Sequence, residues 1–258
     1  MDRQKSDTYK LVKQMTVTAL LSFVFLFTAL PAKSQFGIEI GFNAGVSYYM
    51  GDINYAKQFY HPRHNLGASI KLHFSNRIDL RLGYFNSRLV GNDADFQNVF
   101  QQVRNKSFAV TLDEISAIAE IDFLPYIYGD VARNSFTPYA QVGIAGTFIG
   151  RTANDEDFFT LAIPFGFGFK KNILPRLVLS VEWGFRWTLS DMIDGISNES
   201  IKNDYEIAYG VPLSEDVNMK QLGFRYTNDW YSVALVGISY TFKIGGLGCP
   251  AYYKKHQK

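Results

Sequence analysis

Cysteine is almost missing from this chain: Cys249 is the only one in 258 residues. A single thiol excludes an internal disulfide, so no covalent staple holds the fold. In an exported protein an odd cysteine implies an intermolecular pair or a free reactive group, with an inert thiol as the competing reading. An excess of charge of either sign is missing too, with 26 Lys and Arg against 24 Asp and Glu. Histidine is scarce, at four residues. Beyond the N-terminal segment, no apolar run reaches the roughly 20 residues a transmembrane helix needs.

That N-terminal segment reads as a leader. Arg3, Lys5, Lys10 and Lys13 precede the uncharged run Thr16–Leu30, and Ala32-Lys33-Ser34 then offers a small-residue cleavage pattern before Gln35. A membrane anchor is the alternative, but fifteen residues rising about 1.5 Å each fall short of a ~30 Å hydrocarbon core. No cysteine lies near the cleavage point, which argues against a lipoprotein. Removing the expected signal peptide, residues 1–34, takes away five basic and two acidic residues, leaving 21 against 22. The basic isoelectric point therefore belongs to the leader, and nothing in the charge balance points to nucleic acid as a partner.

What is abundant is aromatic: 22 Phe, 16 Tyr and 3 Trp. Large apolar residues recur at every second position in eight segments, the spacing that puts them on one face of a strand. These segments are 37–51, 65–74, 78–86, 114–123, 136–148, 161–170, 177–189 and 230–242. In the clearest, "LVLSVEWGFRWTL", Leu177, Leu179, Val181, Trp183, Phe185, Trp187 and Leu189 oppose Ser180, Glu182, Gly184, Arg186 and Thr188. In the first, the apolar face runs from Ile38 to Tyr48 and Met50. Six acids (Glu39, Asp79, Glu114, Glu120, Asp122, Glu182) and four bases (Lys71, Arg81, Lys170, Arg186) share the opposite face.

Alternation alone fits a soluble barrel with the apolar face inside, or a membrane barrel with that face toward lipid. Three features favour the membrane. Aromatics gather near strand ends, as the girdles of outer-membrane barrels require. Odd-numbered connections (52–63, 87–105, 150–160, 190–229) are long, while 75–77 and 172–176 are short and 124–135 is intermediate. The last strand ends in the aromatic "ISYTF". The expected fold is all-β: an eight-stranded antiparallel outer-membrane β-barrel over residues 35–243, with a polar filled lumen. An even strand count puts both termini in the periplasm, followed by a periplasmic tail, 244–258.

Eight strands enclose an interior that side chains just fill, so a packed charge network is expected in place of a pore. Its members are Glu39, Lys71, Asp79, Arg81, Glu114, Glu120, Asp122, Glu182 and Arg186. Glu182 and Arg186 are too far apart on one face to pair, and partners across the barrel such as Arg81 or Glu120 are expected. A proton or ion path is the rival reading of these residues. A lipid-modifying outer-membrane enzyme would need a histidine beside a serine or acid near the bilayer surface. His73 faces inward, His61 and His64 lie in the first loop and His256 in the tail, so no catalytic constellation, cofactor or metal is expected. The acidic stretches 153–159 and 191–194 lack the oxygen spacing of a calcium loop and read as solvated.

The pieces "YYMGDI" (48–53), "AEIDFLPY" (119–126), "FTPYAQVGIAGTF" (136–148), "PFGFGFK" (164–170), "VEWGFRWTLSDMIDGIS" (181–197), "NDWYSVALVGISYTF" (228–242) and "CP" (249–250) resemble the PorG family. These are small outer-membrane barrels of the type IX secretion system of Bacteroidota. The resemblance spans nearly the whole exported chain, with 198–227 matching least. It implies an accessory role in protein secretion: not the export pore, but an anchor in outer-membrane lipid for the periplasmic ring of the lipoprotein PorK and its partner PorN. A lipid-modifying enzyme and an OmpA-like envelope or adhesion barrel are the alternatives. The tail, with Cys249, is the expected place of contact with the ring, and an intermolecular disulfide there is the sharpest form of that expectation.

Overall fold

The structure is a computed structural model that describes residues 37–54, 57–97, 99–132, 134–151, 157–190, 193–195, 206–208, 210 and 228–243. The expected signal peptide, the tail 244–258 and Cys249 lie outside the described residues. Eight strands follow in order: β1 (Gly37–Met50), β2 (Arg63–His73), β3 (Ile78–Asn92), β4 (Ser107–Asp122), β5 (Phe136–Arg151), β6 (Phe158–Leu174), β7 (Leu177–Thr188) and β8 (Trp230–Lys243). Each pairs antiparallel with its neighbours, and β8 closes onto β1 from Gly37↔Lys243 to Met50↔Trp230. Closure removes every free sheet edge, which is what lets a sheet cross a bilayer.

The outer wall settles the choice between soluble and membrane barrel. Phe42 and Ile144 are 71% and 70% exposed, and Leu66, Leu82, Ile115, Val142, Phe167, Val181 and Val236 are exposed around the same belt. A soluble monomer rarely presents a contiguous apolar patch above a few hundred Å², and this belt encircles the barrel. Lipid is the solvent in which it is stable. Among the described residues no helix is long and apolar enough to cross a membrane; the strands make the crossing.

Two parts of the fold depart from the sequence reading. Strand β3 runs on into the expected loop 87–105 as far as Asn92, and β4 begins at Ser107, well ahead of the expected segment 114–123. In these extensions the polarity reverses. Leu89, Val110 and Leu112 turn inward and are buried, while Arg88 and Thr111 face out. A one-residue change of phase puts apolar residues on the other face of a strand, so a search for a single apolar phase stops at Asn86. The residual connection 93–106 carries a 3₁₀ turn, Asp93–Asp95, and a short helix, α1 (Val99–Arg104).

The other departure is Tyr48, expected on the lipid face but fully buried. The first loop folds back over the outer wall to cover it. Phe59 adopts φ 55°, a left-handed conformation that costs a bulky residue strain, and its ring lies 5.0 Å from that of Tyr48. The Tyr48 hydroxyl donates to Gln58 Oε1 at 2.7 Å and accepts from Trp183 Nε1 at 3.0 Å.

Candidate functional site

The inward positions of β1–β4, β6 and β7 bring the sequence-selected charges together inside the barrel, most of them toward the short-turn end. Glu114 and Arg186 lie further along, where Tyr231 donates to Glu114 Oε2 at 2.6 Å. Glu39, Lys71, Asp79, Arg81, Glu114, Glu120, Asp122, Glu182 and Arg186 are all buried, none more than 5% exposed. Arg81 joins three strands: Nη1 meets Glu182 Oε2 at 2.5 Å, Nε lies 3.3 Å from Glu120 Oε1, and Nη2 donates to Gln141 Oε1 at 2.6 Å. Lys71 Nζ sits 2.8 Å from Glu120 Oε2 and 3.7 Å from Glu39 Oε1. Lys170 Nζ bridges Asp79 Oδ2 at 2.5 Å and Asp122 Oδ1 at 2.9 Å. Glu182 thus pairs with Arg81 across the lumen. Arg186 pairs with Glu114, at 3.3 Å, and Glu120 serves Lys71 and Arg81 instead.

Burying ions is costly unless each finds an opposite charge in good geometry, and removing one partner strands the other. Such a network therefore adds little net stability while making the loss of any one member costly. His73 takes part, with Nδ1 2.9 Å from Asp79 Oδ1 and Nε2 3.5 Å from Glu39 Oε2. A serine donor completes it: Ser239 Oγ donates to Glu39 Oε1 at 2.5 Å.

The connection between β4 and β5, the one long connection at the short-turn end, closes that mouth. Tyr128 donates to both oxygens of Asp79 at 2.8 Å and stacks on His73 with ring centroids 3.5 Å apart. Tyr126 donates to Asn172 Oδ1 at 2.5 Å, while Asn172 Nδ2 donates to the carbonyls of Ile127 and Asp130 at 2.9 and 3.0 Å. Both tyrosines are buried, and burial first, then nearby carboxylates, pushes their hydroxyls well above the usual phenol range. They act as neutral hydrogen-bond donors. The intermediate length read from the sequence at 124–135 is the length this plug needs.

The opposite end is filled by apolar side chains. Tyr49, Phe85, Leu89, Val110, Leu112, Ile149, Tyr231, Val233 and Leu235 from the strands pack with Ile53, Phe100 and Ile193 from three loops. The polar filling expected for the whole lumen thus holds for the short-turn half and gives way to an apolar core toward the long loops. Phe100 is carried inward by α1, which is anchored by Arg104: Nη2 and Nε reach Asp93 Oδ1 and Oδ2 at 2.6 and 2.7 Å. Gln101 Nε2 donates to the carbonyl of Ile53 at 2.8 Å, tying α1 to the first loop.

A buried acidic group sits at the edge of this core. The Tyr49 hydroxyl lies 2.5 Å from Asp229 Oδ1 and 2.8 Å from Asp194 Oδ2, and the backbone amide of Ile193 donates to Asp229 Oδ2 at 2.8 Å. Burial, then the carboxylates of Asp194 and Asp52, pushes Asp229 well above the usual carboxylate range. Asp194 was expected to be solvated with the rest of 191–194; it is 8% exposed. Residues of "YYMGDI", "SDMIDG" and "NDWY", far apart in sequence, meet at this point.

Among the described residues the histidines form no catalytic arrangement with one another. His73 is locked in the charge network, and His61 Nε2 pairs with Asp95 Oδ2 at 2.8 Å at the surface. His64 belongs to β2, not the first loop, and His256 lies outside the described residues. Among the described residues no group of three or more His, Cys, Asp or Glu is placed to hold a metal ion.

Comparison with protein families finds one that matches most of the chain, described as "Domain of unknown function (DUF6089)", over residues 17–251. No curated protein matches. Among solved structures, the chain is similar to the N-terminal β-barrel domain of Pseudomonas aeruginosa OprF, at 14% identity over 81% of this chain and 99% of that one, with a TM-score of 0.41. Neisserial surface protein A is similar at 14% identity over 81% and 98%, with a TM-score of 0.44. Ail of Yersinia pestis, in complex with the heparin analogue sucrose octasulfate, is similar at 10% identity over 80% and 99%, with a TM-score of 0.44.

Proposed function

The chain belongs to the DUF6089 family, and we propose that this outer-membrane-type barrel is an accessory component of a type IX secretion system. In this reading it anchors the periplasmic PorK/PorN ring to the outer membrane and is not the export pore. The observation that carries the reading is the filling of the lumen, with Tyr126 and Tyr128 at one mouth, buried ion pairs behind them, and an apolar core behind the loops. A barrel filled in this way has only its wall, loops and termini left to work with, which favours a scaffold over a channel. The sequence resemblance to PorG supplies the system and the partners.

The short-turn end and both termini face the periplasm in this proposal, so that Lys243–Lys258 hangs beside the ring with Cys249 as its contact residue. Deleting the gene tests the role: export of cargo bearing the system's C-terminal signal is expected to stop, and normal export contradicts it. Unchanged lipid A in the same strain argues against a lipid-modifying enzyme. Deleting 196–227 while scoring secretion and adhesion separately distinguishes an adhesion barrel. A pull-down from mildly solubilised membrane, with and without reductant, is expected to recover PorK and PorN. Cys249→Ser running identically to wild type on non-reducing gels, with normal secretion, removes the disulfide from the proposal.

A further inference from the structure

The two rims of the outer wall carry different charge. At the long-loop rim the signs are mixed: Arg63 and Arg88 are exposed, and Asp113 accepts hydrogen bonds from Tyr84 at 2.6 Å and Asn86 at 2.9 Å. At the short-turn rim the described outward charges are Arg77, Lys171 and Arg176, with one acid, Asp130. Asp130 is turned to local work, its Oδ1 accepting the amide of Ala132 at 2.8 Å. None of the three cations makes an ion pair with another described residue.

Each of these cations touches or pairs with an aromatic residue of the girdle. Arg77 Nη1 donates to the carbonyl of Phe123 at 3.2 Å. Arg176 Nη1 donates to the Tyr240 hydroxyl at 3.1 Å, and the Tyr240 ring lies 4.8 Å from Phe242. Lys171 is paired across the sheet with Phe136, which stacks on Phe169 at 5.9 Å. Phe123, Phe136, Phe169 and Phe242 are each about half exposed, at 56%, 45%, 48% and 45%. Such a ring of aromatics marks the edge of the hydrocarbon, so the layer in contact with the cations is the one that holds lipid phosphates.

Each guanidinium is fastened by one nitrogen and keeps the rest of its fork of donors, a geometry that matches two phosphate oxygens. Lys171, on the strand that leads into the Arg176 turn, adds a point charge with a long apolar stem that can lie along the wall. We infer that the short-turn rim is a binding collar for anionic phospholipid headgroups, with Arg77, Lys171 and Arg176 as its phosphate ligands. It holds the barrel at a fixed depth in that leaflet and selects lipids that carry net negative charge. The collar depends on the wall and the girdle alone, and holds whether or not the protein serves secretion.

The test uses the full exported chain in nanodiscs of equimolar phosphatidylcholine and phosphatidylglycerol. Native mass spectrometry then reads the lipids that stay bound on release. Phosphatidylglycerol is expected to be enriched on the wild-type barrel, by about fivefold for each cation engaged. R77Q/K171Q/R176Q is expected to bring the two lipids to parity while its heat-modifiable gel mobility shows an intact barrel. R63Q/R88Q at the opposite rim is expected to keep the enrichment. High salt on the wild-type protein alone is expected to abolish it, which keeps the test open should the triple variant fold poorly. Parity in the wild type or equal loss in the opposite-rim variant each overturns the collar.

Discussion

The barrel has two zones of opposite polarity built from the same strands. Around the lipid belt Leu82, Ile115 and Ile144 face outward and Arg81, Glu114 and Glu120 inward. A few residues further along, Leu89, Val110 and Leu112 face inward and Arg88 and Thr111 outward. Backbone pairing continues unbroken from Ile78↔Ile121 to Asn92↔Ser107, so hydrogen bonding does not distinguish the zones. What differs is the solvent outside. Lipid asks for apolar groups on the wall and leaves polar ones for the lumen; water asks for the reverse. The long-loop end is a soluble-type core mounted on a membrane-type barrel.

The largest effect that separates the zones is expected from Arg81→Leu, which strands Glu182 without its guanidinium and leaves Glu120 to Lys71 and Lys170. A loss of about 3–5 kcal/mol should appear as a lower urea midpoint in detergent micelles. In the apolar zone, Phe100→Ala removes a 2% exposed ring and is expected to cost about 3 kcal/mol. The loss should fall first on the loop end, read as early hydrogen exchange of 93–106 while the charged zone stays protected. Equal exposure of both zones would show that they unfold as one unit.

A smaller effect comes from Asp229. Its carboxyl is held above the usual range when folded, so the folded state binds more protons than the unfolded one. Stability therefore falls as pH rises from about 4, the ordinary aspartate value, through the raised folded value. The slope is about 1.4 kcal/mol per pH unit while this group alone titrates. Asp229→Asn is expected to flatten that slope and raise stability at neutral pH; an unchanged pH profile contradicts the assignment. The smallest effect belongs to Tyr128→Phe, which removes the donor to Asp79. A cost of about 1 kcal/mol, one hydrogen bond lost from a carboxylate that keeps His73 and Lys170, should show in the turn-side mouth and leave the long-loop end unmoved.

The membrane zone was legible in the sequence because one phase of alternation persists along it. All eight strands, their order, and the burial of Glu39, Asp79, Arg81 and Glu182 follow from that phase and its charges. The extensions of β3 and β4 were hidden because "RLVG" and "AVTL" alternate in the opposite phase. Strand β8 hides its part of the apolar core differently. Tyr231, Val233 and Leu235 face inward between outward Trp230, Ala234 and Val236, so both faces are apolar and no alternation shows. The plug has a faint signal, two tyrosines alternating with Ile127 before Gly129 at φ 83°, in a stretch read only as a turn. The meeting of Tyr49 with Asp194 and Asp229 spans most of the chain, and no local pattern carries it.

Conductance across a planar bilayer tests most directly whether this barrel is a filled anchor or a conduit. A lumen closed by Tyr126 and Tyr128, by the buried ion pairs and by the Phe100 core predicts no single-channel steps for the wild-type barrel at high salt. Stable unitary currents through a correctly folded, inserted barrel would contradict it.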